Sequence, residues 1–185
     1  MRKEIICCPP ANEALCHCGD VLSGMGLRVT NTYSDTMTHL IAPVPTPEGY
    51  PEQFLIRHDA PITLCGGNID PSGFEKQRIV DFLKDPFYLA DNAAITAQCA
   101  ICLLNEHLPD LFNSRILILG WGRIGKCLGK LLQQIGANIT IAARKESDLA
   151  MIHALGYQAA PIQEIPHEVR CYDAILNTVP EMVLP

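Results

Sequence analysis

One segment constrains the fold of this chain more than any other: residues 114–137, SRILILGWGRIGKCLGKLLQQIGA. The apolar run ILIL ends on Gly120, and Gly122 and Gly125 complete a G-x-G-x-x-G spacing. Beyond the glycines, apolar residues recur at Ile124, Cys127, Leu128, Leu131, Leu132 and Ile135, the period of an amphipathic helix. Strand, glycine turn and helix in that order open a parallel α/β unit. Gly120 permits the tight turn, Gly122 lets the backbone approach a pyrophosphate, and Gly125 lets helix and strand pack closely, while the helix N-terminus offers free N–H groups to an anion. A dinucleotide is the natural ligand, and the plainer alternative is a glycine turn that holds nothing.

The next strand, NITIAARKES, bears on which dinucleotide. In such units the second strand usually ends in Asp or Glu, about 20 residues beyond the glycines, to bind the adenosine ribose 2′-hydroxyl. Ala143 stands there instead, followed by Arg144, Lys145 and Ser147. Without the acid a 2′-phosphate is not repelled, and a planar guanidinium fork, an ammonium and a hydroxyl are at hand to hold it. The pattern favours NADP(H) over NAD(H). The competing reading has Ser147 as the N-cap of a helix DLAMIHALG, with Arg144 and Lys145 as solvated charges.

Elsewhere strand and helix signals alternate. EIICCP, LRVTNTY, THLIAPVP and APITLCGG read as strands, and NEALCHCGDVLSGMG and GFEKQRIVDFLKD as helices. A long apolar helix over residues 94–107 follows, and after the glycine-rich unit come a weak strand at GYQAA, a short helix near IQEIP and the strand YDAILN. The expected fold class is α/β with two parallel-sheet domains joined by that helix. Residues 1–90 form a flavodoxin-like substrate-side domain, 91–110 the interdomain helix, and 111–185 an incomplete Rossmann dinucleotide-binding domain. No Ser/Gly-rich linker intervenes, so the domains are expected to hinge through the helix, with the active cleft between them.

The chain has 185 residues, 48% of them hydrophobic, enough for a sizeable core. Formal net charge is -6 with scattered Lys and Arg, which argues against nucleic acid as a partner. No apolar run is expected to reach the roughly 20 residues that span a bilayer, and MRKEIICCPP is too short in its apolar part for a secretion signal, so a cytoplasmic protein without membrane contact is expected. Of nine cysteines, Cys7, Cys99, Cys102 and Cys127 sit among apolar residues, where a free thiol acts as a small hydrophobe. Metal has to be weighed at Cys7, Cys8, Cys16, His17 and Cys18, but CC and CHC lack the two-residue gaps of knuckle turns, so the thiols read as structural and no metal is expected.

The segments LGWGRIGKCLGKLLQQIGANITIAARKESDLAMIHALG and DAILNTVP, with NAAITAQCAICLL before them, resemble the first subunit of dipicolinate synthase, a family related to the two-domain 2-hydroxyacid and alanine dehydrogenases. The likeness covers about residues 91–185; over the first 90 it is one of architecture. It implies a cytosolic NADP-dependent dehydrogenase oxidising a dihydrodipicolinate-type cyclic dicarboxylate to the pyridine dicarboxylate of spores, working beside a second, flavoprotein subunit. By the same resemblance Gly120, Trp121, Gly122, Arg123, Ile124 and Gly125 form the pyrophosphate loop. Ala143, Arg144, Lys145 and Ser147 form the 2′-phosphate pocket, and Asn177, Thr178, Val179 and Pro180 lie on the nicotinamide side. Thr96 and Gln98 would face the cleft; the family often has a carboxylate where Gln98 stands.

For the substrate carboxylates, strand-end loops of the first domain are the candidates: Thr46, and the backbone amides of Gly66, Gly67 and Asn68. No residue is assigned as the catalytic acid or base. A full dinucleotide unit has six strands, and this chain supplies the first half and the fourth strand. It therefore reads as a truncated dehydrogenase, a non-catalytic NADP-binding or regulatory module, or a short protein that borrows the rest from a partner. DAILN becomes an edge strand, for which an exposed apolar surface and self-association into a homo-oligomer are expected.

Overall fold

The computed structural model describes residues 4–56, 58, 60–165 and 169–181. The chain divides into two compact units, Met1–Leu89 and Ala90–Pro185. The charged start at Met1–Lys3, and the last residue of the short helix expected near IQEIP, lie outside the described residues.

The first unit is a five-stranded parallel sheet in the order β2-β1-β3-β4-β5: β1 (Ile5–Cys7), β2 (Arg28–Thr30), β3 (His39–Ile41), β4 (Thr63–Gly66) and β5 (Arg78–Asp81). Helix α1 (Glu13–Gly24) connects β1 to β2; its N-cap Asn12 accepts from Leu15 N–H at 2.9 Å. The core comprises Cys7, Leu40, Leu64, Met37, Ile62 and Ile69, all nearly inaccessible. Two elements depart from expectation. The helix expected over GFEKQRIVDFLKD is absent: Phe74 and Gln77 close turns, and Arg78–Asp81 is the fifth strand, registered Leu64↔Ile79 and Cys65↔Val80, with one 3-10 turn after it. Adjacent β-branched Ile79 and Val80 fit a pleated sheet, and a partner strand outweighs the segment's helical spacing. Conversely, a short helix α2 (Tyr50–Leu55) forms in a stretch for which no element is expected from the sequence, with Pro51 at its first turn, where a missing N–H costs nothing.

Helix α3 runs Pro86–His107, starting earlier than expected. Asp85 fixes that start: its carboxylate accepts from Phe87 N–H at 2.8 Å, with Pro86 at the first helical position. At 22 residues, with an 18-residue window of mean hydropathy 1.4, α3 is by length and composition long and apolar enough to cross a membrane, contrary to the expectation that no run is. Its Ala97 and Leu104 are buried in the core of the second unit.

That second unit is a four-stranded parallel sheet in the order β8-β7-β6-β9: β6 (Arg115–Leu119), β7 (Asn138–Ala143), β8 (Gln158–Pro161) and β9 (Ala174–Asn177). Helix α4 (Arg123–Ile135) links β6 to β7, and α5 (Glu146–Ala154) links β7 to β8. Both faces of β6 are covered. Ile116 and Ile118 pack with Leu128 and Leu132 of α4, Ile141 and Ile152, while Leu117 and Leu119 pack with Ile162 and Ile165 on the other side. β9 is an edge strand, but its Ala174, Ile175 and Leu176 are half-buried rather than openly exposed.

Candidate functional site

At the carboxyl end of β6 the chain turns at Gly120, whose φ of 107° lies in the region that favours glycine. Its N–H donates to Ala142 O at 2.8 Å. A side chain there would come within 2.7 Å of Thr178 Oγ1 and Val179 Cγ1, so neighbours as well as backbone require glycine. Gly125 is required by contact alone: a Cβ would collide with the Gly120 carbonyl oxygen. Gly122 differs from both. Its backbone is extended (φ -78°, ψ -169°), a conformation open to any residue, and a Cβ would meet nothing within 4 Å. It is the N-cap of α4, no side chain caps that terminus, and Gly122 borders a cavity of about 340 Å³. The fold does not need a glycine at 122; a ligand approaching the helix N-terminus would.

The same cavity is lined by Trp121, Ala143, Arg144 and Lys145, and by Thr178, Val179 and Pro180. Trp121 is held by edge contact with Tyr157 (5.9 Å) and by the Lys126 ammonium 5.6 Å from its ring. Thr178 is bound to the β6 end, its N–H and hydroxyl both donating to Leu119 O at 3.0 and 2.8 Å. Asn177 shapes the turn: its Oδ1 accepts from Val179 N–H at 3.0 Å and its Nδ2 donates to Glu181 O at 3.2 Å. Glu181 thereby comes within 3.8 Å of the Arg144 guanidinium, both side chains being exposed. A glycine-bordered helix N-terminus and a basic pair in one cavity are a donor set that fits a phosphorylated dinucleotide.

Not every residue of the expected loop reaches this cavity. Arg123 is exposed at the first position of α4, Ile124 packs against the core, and Ser147 is absent from the lining. Ser147 does not cap α5 either, since Lys145 holds that position without a side-chain bond. Two lining residues escaped sequence reasoning: Asp148, in the first turn of α5, and Ile162, whose N–H donates to Ala143 O at 3.1 Å. Asp148 resembled an ordinary acid at a helix start, and Ile162 depends on the pairing of the weakly marked strand β8.

In the first unit, Thr46 and Asn68 line a separate cavity of about 350 Å³ at the carboxyl edge of the sheet. Two of the amides expected to take an anion there, those of Gly67 and Asn68, are already engaged. Thr46 N–H donates to Gly67 O (2.7 Å), Gly67 N–H to Thr46 Oγ1 (3.0 Å) and Asn68 N–H to Asp81 Oδ1 (3.1 Å). Gly66 and Gly67 are glycines for packing, since side chains would strike Thr46 Oγ1 and, at 2.8 Å, Val44 Cγ1. Among the described residues, Glu48, Glu52 and Asp70 line this cavity and no Lys, Arg or His does. The Ser72 N–H at 2.9 Å holds the Asp70 carboxyl below its ordinary range. Thr96 and Gln98 are exposed on α3, where the Thr96 hydroxyl donates to Asn92 O at 2.7 Å.

Among the described residues no group of three or more His, Cys, Asp or Glu is placed to hold a metal. Cys8 is buried, its Sγ donating to Leu15 O at 3.3 Å; burial, and then the neighbouring Cys18, push the thiol up to about 12.

No protein-family model matches the chain. It is 27% identical over 110 residues to the first subunit of dipicolinate synthase of Bacillus subtilis, covering 59% of this chain and 37% of that protein. The chain is related to dipicolinate synthase. The crystal structure of the Bacillus subtilis dipicolinate synthase superposes with a TM-score of 0.70 at 18% identity, over 99% of this chain and 75% of that one. A glutamyl-tRNA reductase of Psychromonas ingrahamii is 35% identical over 89 residues, which are 47% of this chain and 21% of that protein. Solved dehydrogenases and reductases named for other substrates share the fold. The chain thus has the fold of an oxidoreductase and spans well under half the length of the curated relatives it matches.

Proposed function

We propose that this chain is the nucleotide-binding part of a cytoplasmic NADP(H)-dependent oxidoreductase whose substrate is a cyclic dicarboxylate of the dihydrodipicolinate type. The observation that carries the cofactor is the single cavity uniting Gly122 at the α4 N-terminus with Ala143, Arg144 and Lys145. A glycine that the fold does not require, and two cations where an acid would exclude a 2′-phosphate, have a common explanation in one ligand. The relation to dipicolinate synthase supports the substrate.

When bound, the cofactor supplies hydride chemistry. The chain's own residues bind and orient it: the free N–H groups at the start of α4 meet the pyrophosphate, and Arg144 and Lys145 meet the 2′-phosphate. Among the described residues lining the cavity of the first unit three are carboxylates and none is a cation, and the donors of Thr46 are engaged within the protein, its N–H by Gly67 O and its hydroxyl by Pro43 O at 2.9 Å. The substrate's charges are therefore matched by residues other than those lining it.

The test is titration of the chain with NADPH and NADH, following nicotinamide fluorescence, in wild type and Arg144→Ala. NADPH should bind more tightly, and the substitution should weaken it about 10- to 100-fold, the worth of a charge-assisted contact, without changing NADH. Equal weakening of both cofactors, or binding of neither, contradicts the proposal.

A further inference from the structure

The cavity that holds Arg144 and Lys145 also holds a carboxylate. Asp148 lines it, is half-buried, and makes no ion pair or side-chain hydrogen bond with another described residue. A second carboxylate, Glu181, faces Arg144 at 3.8 Å. Two cations, Arg144 and Lys145, therefore stand against two carboxylates, Asp148 and Glu181, and the formal sum at this end of the cavity is zero. A pocket shaped only for a phosphate dianion would not keep an acid in its wall that cancels one of its cations, since a phosphomonoester carries about -1.5 to -2 at neutral pH.

Asp148 has an ordinary structural reason to be acidic, because carboxylates in the first turn of a helix meet the positive end of its dipole. That reason applies equally to Glu146, at the first position of α5, which does not line the cavity. The two residues separate a helix effect from a ligand effect.

We infer that Asp148 is a specificity-determining residue: its carboxylate takes over part of the task of the acid missing at Ala143, receiving the ribose hydroxyls of NAD(H) and opposing the 2′-phosphate of NADP(H). The pocket accepts both cofactors, with a preference for NADP(H) narrower than the basic pair alone would give. The inference rests on the nucleotide-binding reading above and deepens it.

Trp121, the only tryptophan of the chain, lines the same cavity and reports binding by its fluorescence. NADPH and NADH are titrated into wild type, Asp148→Asn and Glu146→Gln, and their Kd ratio is compared. Asp148→Asn keeps the side chain's shape, and a melting curve on each variant checks that it is folded. The expected result is a ratio shifted toward NADPH by about fivefold or more in Asp148→Asn, the scale of one partly exposed charge, and unmoved in Glu146→Gln. An unchanged ratio in Asp148→Asn, or the same shift in both variants, overturns the inference while leaving nucleotide binding intact. Failure of wild type to bind either cofactor overturns the reading beneath it, and the inference with it.

Discussion

Replacing Gly122 and Gly125 separately by alanine should dissociate folding from ligand binding within one loop. At Gly125 the new methyl meets the Gly120 carbonyl oxygen, a backbone atom that cannot swing away, so the β6–α4 turn must shift. Overpacking of this kind costs about 1–3 kcal/mol. For a unit of this size each kcal/mol lowers Tm by roughly 4–8 °C, so Gly125→Ala should melt about 10 °C below wild type. At Gly122 the methyl meets nothing within 4 Å and the backbone is ordinary. The gain from a stiffer unfolded chain, about 0.4–1 kcal/mol, is offset by alanine's poorer capping, and Tm should stay within a few degrees. The same methyl occupies the approach to the α4 N-terminus. Losing contacts worth about 1.5–3 kcal/mol should weaken NADPH roughly 10- to 150-fold. Differential scanning calorimetry and isothermal titration read the two effects. A Gly122→Ala protein with wild-type NADPH affinity would refute the assignment of this loop, and a large loss of stability at 122 would refute the claim that the fold does not need the glycine.

Three further outcomes follow from the packing. Ile118→Ala, at a fully buried position on the central strand, should cost about 2–5 kcal/mol in a denaturant titration. Tyr50→Phe removes a buried hydroxyl that has no partner among the described residues; it should leave Tm unchanged or raise it, and a fall would show that the hydroxyl is satisfied. Cys8 and Tyr50 both have acid groups pushed up to about 12 in the folded state, chiefly by burial, from ordinary values of 9.0 and 10.0. The unfolded chain ionises first as pH rises, so these groups leave stability intact below pH 9 and erode it between pH 9 and 12, which urea melts at stepped pH would record.

The glycine-rich unit was legible because each of its signals is local and redundant: an apolar strand, spaced glycines and a helical stripe along Leu128 and Leu132 agree over residues 114–137. The absence of an acid at Ala143 is likewise a fact about one position. What was lost depends on distant pairing. Strand β5 exists because β4 lies beside it, and its short run RIVD carries no helix-excluding signal. Asp148 reaches the cavity because α5 begins at Glu146, two residues before the helix marked by DLAMIHALG. The amides near Gly66 and Gly67 looked free in sequence, yet Thr46 and Asp81 engage those of Gly67 and Asn68 across 21 and 13 residues, a closure no local pattern announces.

The central claim is that the cavity between Gly122 and Arg144 is built for an adenosine carrying a 2′-phosphate, and the most direct measurement uses that half of the cofactor alone. Calorimetric titration with 2′,5′-ADP and with 5′-ADP isolates the phosphate from any contribution of the nicotinamide or of a substrate. 2′,5′-ADP should bind more tightly, with the difference removed in Arg144→Ala. Equal affinity for the two nucleotides, or tighter binding of 5′-ADP, would contradict it.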